Sequence, residues 1–417
     1  MTSHSSHAQK FDVRMRGFAS RSTVKQTLEW IDHSLPSLQS ESVPLEAAAG
    51  RVLALSVVSE VNVPGFSRGM MDGFAVRAED TLGATPYSQI ALEVIGQSLP
   101  GEAFEGQVLP GQAVRIMTGA PIPTGADAVL QAEYVEIRSS QIVTQTAVAP
   151  RKHVGQPGED IAAGATVLTA PRTLRPQDIG VLSSIGVAAV EAVQMPRVHV
   201  VTTGSELLPA GSKPQGYNIT DANSPMLLSL IRRDGGLATH AGIIPDDPQQ
   251  ILKALMADVD IVVVSGGSSV GQEDHVPMLL AEHGELNIHG VAMRPSSPIG
   301  MGRLGKRLVF LLPGNPVSCL CGYDFFVGRA VRLLGGLGRD WPYRKRTYRL
   351  RRKLISMVGR VTMRECCWLT ERLSPLPLRG HPYSLQQHAL MVLWWCLKIV
   401  RAMPKDRKLM FVYTTKV

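Results

Sequence analysis

The residues best suited to chemistry lie in four short polar turns. Ser265-Gly266-Gly267-Ser268 follows the β-branched run Ile261 to Val264, with acids at Glu273 and Asp274. Pro313-Gly314-Asn315-Pro316, with Ser318, follows the apolar run RLVFLL. Thr203-Gly204-Ser205-Glu206 follows RVHVV, and Asp246-Asp247 follows IIP. A buried strand that ends in a glycine-rich turn and runs into a helix gathers backbone N–H groups at one point, which suits an anion, most often phosphate. Ser265–Gly267 and Gly314–Ser318 have that form. The carboxylates of Glu206, Asp246 and Asp274 are hard oxygen donors that would hold Mg²⁺ against such an anion. The expected chemistry is reaction at a phosphoryl bond of a nucleotide or phosphorylated cofactor. Any one of these turns, taken alone, is more often a tight turn whose acid caps a helix. Four on one edge reverse that balance. There is no G-x-x-x-x-G-K-[ST] and no G-x-G-x-x-G, so neither the P-loop nor the Rossmann site is expected.

The elements that would position these turns alternate between strand and helix over residues 195–338. That order predicts a parallel α/β sheet with right-handed crossovers and its ligands beyond the carboxyl ends of the strands. NSPMLLSLIRRDGG reads as an amphipathic helix, with Asn223 or Ser224 as the candidate cap. Residues 63–150 read as a small β domain of short strands and Gly/Pro turns. It contains Asp72 in MMDGFAV and Thr118 in MTGAP. Residues 21–62 and 151–194 form an extended and helical linker domain, with Glu159-Asp160 on a glycine-flanked turn. Residues 1–20 read as disordered, and 339–417 as a C-terminal domain.

Charge is unevenly distributed. The net formal charge is +8, but from Trp341 onward 17 basic residues face 3 acidic ones, leaving 26 basic and 32 acidic before it. The acidic body argues against nucleic-acid binding. No apolar run approaches the roughly 20 residues needed to span a bilayer, and the N-terminus lacks the apolar core of a signal peptide, so a cytoplasmic protein with no membrane partner is expected. Five cysteines without regular spacing fit a reducing compartment. Cys319 and Cys321 read as packing residues, and Cys366-Cys367 with His381, His388 and Cys396 lacks zinc-site spacing.

Seven co-linear segments resemble the molybdopterin molybdenumtransferases, the MoeA-like enzymes that include the E domain of gephyrin. They are VPGFSRGMMDGFAVR (63–77), VRIMTGAPIPTGADAV (114–129), GEDIAAG (158–164), VVTTGSELL (200–208), IIPDDP (243–248), VVSGGSSVGQED (263–274) and LPGNPVS (312–318). The resemblance implies insertion of molybdenum from molybdate into adenylylated molybdopterin, with release of AMP and help from Mg²⁺. It implies an elongated homodimer of four domains per chain: α/β plus β, with a molybdopterin-binding α/β domain and a C-terminal β-barrel. The active site would lie between the α/β domain of one subunit and the β domain of the other. Carried over by motif, Asp72, Thr118, Asp160, Glu206 and Asp274 are catalytic, and Asp246, Asp274 and Glu206 are metal ligands. Ser265, Gly266, Gly267, Ser268, Arg294, Pro313, Gly314, Asn315, Pro316 and Ser318 bind substrate. A molybdopterin adenylyltransferase and apo-molybdoenzymes are implied partners. A pterin-binding scaffold and an inactive copy are the alternative readings.

Three places depart from the family. Arg68-Gly69-Met70 replaces the usual Asn-Ser-Ala, and Arg294-Pro295-Ser296-Ser297-Pro298 replaces Lys-Pro-Gly-Lys-Pro, keeping one cation of two. After about Val361 the chain holds three of its five Trp, three of its five Cys and only three acids, without clear strand alternation. With allowed codons, a one-base shift of TMRECCWLT reads as DYARVLLAD, and of LQQHALMVLWWCLKIV as PTTTRADGFVVVPEDS. Both fit the family's barrel, so a frameshift near Val361 is expected to have damaged it. The coding DNA tests this: the shifted frame should encode a barrel-like sequence, and its absence there ends the idea.

Overall fold

The computed structural model describes residues 21–267, 275–343, 345–350, 359–369, 372–375, 390–394 and 408–412. The expectations for residues 1–20, for Ser268 and Asp274, and for most of the altered tail lie outside these. The chain packs as two units, Ser42–Ala192 and Met1–Glu41 with Val193–Val417.

The second of these carries a six-stranded sheet in the order Leu237–Ile244, Arg197–Thr203, Ile261–Ser265, Arg307–Leu312, Gly300–Leu304, Glu285–His289. The first four strands are parallel, as their alternation with helices predicts. The last two depart from that expectation: Gly300–Leu304 runs antiparallel to Arg307–Leu312, and Glu285–His289 antiparallel to Gly300–Leu304. The sheet is therefore mixed. The cause is a two-residue hairpin between Leu304 and Arg307, whose first loop residue, Gly305, takes φ +62°.

Ile261–Ser265 is buried at every position, as a strand covered on both faces must be. Ile261 and Val263 pack with Leu227, Ile231, Phe310 and Phe326 on one face, and Val262 and Val264 with Ile251, Leu255, Leu280 and Val309 on the other. The helix Val24–Ser34 adds Val24 and Ile31 to the first cluster. Its start is fixed by a capping box: Gln26 N–H donates to the Thr23 hydroxyl and Thr23 N–H donates to Gln26 Oε1. Arg329 holds Asp32 with two nitrogens at 2.8 and 2.7 Å. In the tail, the strands Lys345–Leu350, Val361–Leu369, Arg372–Pro375, Leu390–Trp394 and Lys408–Val412 share a sheet with Met293–Arg294. A stretch whose sequence shows no clear alternation thus contributes strand. Among the described residues no helix is long and apolar enough to cross a membrane.

Ser42–Ala192 holds a six-stranded β sheet in the order Ala128–Gln131, Gly73–Val76, Gln112–Ile116, Ile90–Ser98, Gln141–Thr144, Val135–Arg138. Its pairings are antiparallel except that of Ile90–Ser98 with Gln112–Ile116. A separate core joins Val43, Leu53, Leu168, Leu174, Leu182 and Val190. The helix Pro176–Ser184 over this core carries a buried acid in its first turn, Asp178, which accepts hydrogen bonds from both Arg172 and Arg175. The two guanidinium groups hold the Asp178 carboxyl far below the usual carboxylate range.

A depressed carboxyl stabilises the fold fully above its unfolded pKa of about 4 and loses that contribution as pH falls toward its folded value. Asp178→Asn is expected to destabilise the protein by about 2 kcal/mol at pH 7. The gap between variant and wild type should narrow at pH 3, read by urea unfolding at both pH values.

Candidate functional site

The four parallel strands all run the same way, so the turns after Thr203, Ile244, Ser265 and Leu312 emerge at one edge. Side chains lock these turns together in pairs. Asp246 Oδ2 accepts from Ser205 N–H and from its hydroxyl, both at 3.1 Å, joining the first turn to the second. Asp247 serves the local fold instead, capping the helix Pro248–Leu255 through the N–H groups of Gln249 and Gln250. Glu206 is exposed and folds over Gly204, where a Cβ would stand 2.8 Å from Glu206 Oε2.

The third and fourth turns are joined by a residue named in the sequence only as a possible cap. Asn223 Nδ2 donates to Ser265 Oγ at 2.8 Å and to the Gly314 carbonyl at 2.7 Å. Asn223 is free for this because neither it nor Ser224 caps the helix Asn223–Arg233, contrary to expectation. Asp221 does so, its Oδ1 accepting from both N–H groups and its Oδ2 from the Ser224 hydroxyl. Gly266 follows Ser265 with φ +98°, and a Cβ there would stand 2.4 Å from the Thr203 carbonyl oxygen. Only glycine lets this turn lie against the first one. Among the described residues, Asn223 Oδ1 and Thr203 Oγ1 are buried polar atoms without a hydrogen-bond partner. Cys319 sits below, its Sγ 4.0 Å from Ser265 Oγ; burial pushes its thiol up to about 12, so it packs rather than reacts.

Asn315 Oδ1 accepts from Ser318 N–H at 3.1 Å and starts the helix Pro316–Gly322. Pro313 precedes this turn, and Gly314 lies close to Gly266, its Cβ position 3.8 Å from Gly266 Cα. Arg294 is exposed at the end of the strand Met293–Arg294, and in the loop after it Ser296 is buried and donates its hydroxyl to the Ser318 carbonyl at 2.6 Å. Ser265, Gly266, Gly314, Asn315, Ser318, Glu206 and Asp246 are thus gathered at or beside one edge. Gly267 continues its turn with φ +56°.

In the smaller unit, two candidates meet directly. Thr118 donates to Asp72 Oδ1 from its backbone N–H at 2.7 Å and from its hydroxyl at 2.8 Å. Those bonds, the backbone one first, hold the Asp72 carboxyl below its ordinary range. Asp160 is tied by the departure at Arg68, whose Nη2 lies 3.2 Å from Asp160 Oδ2 and 2.9 Å from Glu159 Oε1. The arginine that replaces the family's Asn thus places a cation beside a candidate acid.

Among the described residues no three acids, histidines or cysteines gather at metal-binding distance. Glu206 and Asp246 offer carboxylate oxygens only, a donor set that fits a hard cation better than a soft one. The edge can therefore hold an anion on hydroxyl, amide and glycine backbone groups, with carboxylates beside it. The residues that sequence reasoning missed, Asp221 and Asn223, are polar side chains at a helix start, where capping is the ordinary reading. Asn223→Asp keeps the shape but sets a carboxylate against the Gly314 carbonyl. It is expected to destabilise the protein by about 2 kcal/mol, measured by urea unfolding.

Two family models match the chain: "MoeA N-terminal region (domain I and II)" over residues 22–186 and "Probable molybdopterin binding domain" over 199–332. A Mycobacterium tuberculosis protein, Molybdopterin molybdenumtransferase 2, is 37% identical over 313 residues, covering 73% of this chain and 76% of that one. The Haemophilus influenzae Molybdopterin molybdenumtransferase is 34% identical over 302 residues, covering 72% and 74%. The crystal structure of a molybdopterin biosynthesis MoeA protein from Pyrococcus horikosii superposes with TM-score 0.81 at 29% identity, covering 94% of this chain and 99% of that one. With these matches joined to the strand-end site, the chain belongs to the molybdopterin molybdenumtransferase family of molybdenum cofactor biosynthesis enzymes.

Proposed function

We propose that this enzyme inserts molybdenum from molybdate into adenylylated molybdopterin, with release of AMP and with the help of Mg²⁺. The observation that carries the reading is the Asn223 bridge between Ser265 and Gly314, which supports a two-turn cradle at the carboxyl edge of the sheet. The family relationship supports the identity of the substrates. Ser265, Gly266, Gly267 and Ser268 would bind one anionic end of the substrate, and Pro313, Gly314, Asn315, Pro316 and Ser318 the other. Arg294 would pair with an oxyanion. Glu206, Asp246 and Asp274 would hold Mg²⁺, which when bound neutralises charge building on the phosphoryl oxygens.

Asp72 has a role set by its own hydrogen bonds. A carboxylate stabilised by two donors from Thr118 is ionised at neutral pH and a poor proton acceptor, so it acts through its charge. Asp160 would act beside it, with its charge tempered by Arg68. The resemblance adds a cytoplasmic homodimer, supplied by an adenylyltransferase and serving apo-molybdoenzymes.

A reconstitution with purified protein, adenylylated molybdopterin, molybdate and Mg²⁺ tests the reading through AMP release and activation of an apo-molybdoenzyme. Wild type should be active, chelation of Mg²⁺ should stop it, and Asp274→Ala should lose on the order of 100-fold in kcat. Asp72→Asn should lose activity by a similar factor across pH 5 to 8, because the wild-type group stays ionised throughout that range. Folded wild-type protein that releases no AMP would overturn the proposal.

A further inference from the structure

The short strand Met293–Arg294, paired with Val361–Leu369, is followed by a loop to Ile299 that holds, among the described residues of the larger unit, a non-glycine residue with positive φ. Ser296 adopts φ +77°, a left-handed conformation that favours glycine, and it does so at 2% exposure. A side chain in this conformation at a buried position needs a compensating contact. Its hydroxyl makes one, donating to the Ser318 carbonyl at 2.6 Å in the first turn of the helix Pro316–Gly322. Gly322, on the same helix, completes the fit: a Cβ there would stand 3.0 Å from Ser296 Oγ. The next residue is pinned separately, Ser297 Oγ donating to the Val291 carbonyl at 3.1 Å and accepting from Arg21 Nε at 3.0 Å.

We propose that Ser296 is a positioning residue, a hydroxyl tether that sets the loop after Arg294 against the helix begun by Asn315-Pro316 and so, together with the pairing of Arg294 with Thr362, fixes where the Arg294 guanidinium meets an oxyanion. The inference rests on the assignment of Arg294 to oxyanion binding. The serine accepts an unfavourable backbone conformation and returns a bond to the helix that glycine has no atom to make. A site that needs its cation held to within a fraction of an ångström gains from such a tether. Where the loop carries a single cation in place of two, that placement matters more.

Glycine and alanine at position 296 separate tethering from folding. Ser296→Gly suits the backbone and removes only the hydroxyl; Ser296→Ala removes the hydroxyl and keeps the unfavourable φ. In full-length protein, Ser296→Gly should keep the wild-type melting temperature yet weaken molybdate binding on the order of tenfold by calorimetry. Its peptide over residues 293–299 should also exchange amide hydrogens faster, while the rest of the chain does not change. In the AMP-release assay the loss should appear in KM for molybdate with kcat near wild type. Ser296→Ala should show the same binding loss and a lower melting temperature. Wild-type molybdate affinity in folded Ser296→Gly overturns the proposal, and so does the absence of molybdate binding by wild type. The transferase reading is judged separately, by AMP release from wild type.

Discussion

One carboxamide sets the geometry of the strand-end edge. Asn223 donates from a single nitrogen to the hydroxyl that ends one central strand and to a carbonyl in the turn after the next. Because both acceptors sit at the ends of paired parallel strands, the amide fixes the distance between two glycine-bearing turns to within the tolerance of a hydrogen bond. The amide itself is held by Asp221, which satisfies the first N–H groups of the helix and leaves the asparagine side chain for this bridge. At its other end the same helix meets a buried ionic cluster, where Arg233 reaches Asp234 and Asp324 at 2.9 and 3.2 Å and Arg332 reaches Asp234 at 3.1 Å. The helix is thereby fastened at both ends, and the site inherits that rigidity.

The sequence made the strand-turn-helix plan legible because each strand is a short β-branched run closed by glycine or proline, a pattern with few alternatives. Ser265 and Gly314 could be named from their glycine-bearing turns, whereas Asp72 and Thr118 are named through the resemblance to the family's motifs, and that pair is in direct contact. What could not be read was long-range: Asn223 lies 42 residues from Ser265 and 91 from Gly314, and no local rule connects them. The same limit explains the missed hairpin at Gly305, where two strands of ordinary composition turn antiparallel beside a parallel set.

The family departures are where this chain shows its own solutions. Arg68, where the family usually shows a neutral Asn, brings a cation to Glu159 and Asp160 in the smaller unit, an ionic contact of modest strength at a partly exposed surface. In the larger unit, the loop after Arg294 replaces glycine with a serine that takes glycine's backbone conformation and adds a bond. Both changes alter how a candidate site group is supported while leaving the group in place.

The central strand has a further consequence that concerns parity. Ile261, Val263 and Ser265 share one face of the sheet, and Val262 and Val264 the other. Side chains alternate with period two, so the hydroxyl meets the amide of Asn223 only because Ser265 lies an even number of positions, four, after Ile261. A single residue inserted into or deleted from this strand would still leave a run of β-branched apolar residues ending in Ser265. It would also turn the terminal side chain to the opposite face, toward the cluster of Ile251 and Leu280, and leave the cradle without its hydroxyl. For this strand, the count of residues constrains the bridge as much as their identity does.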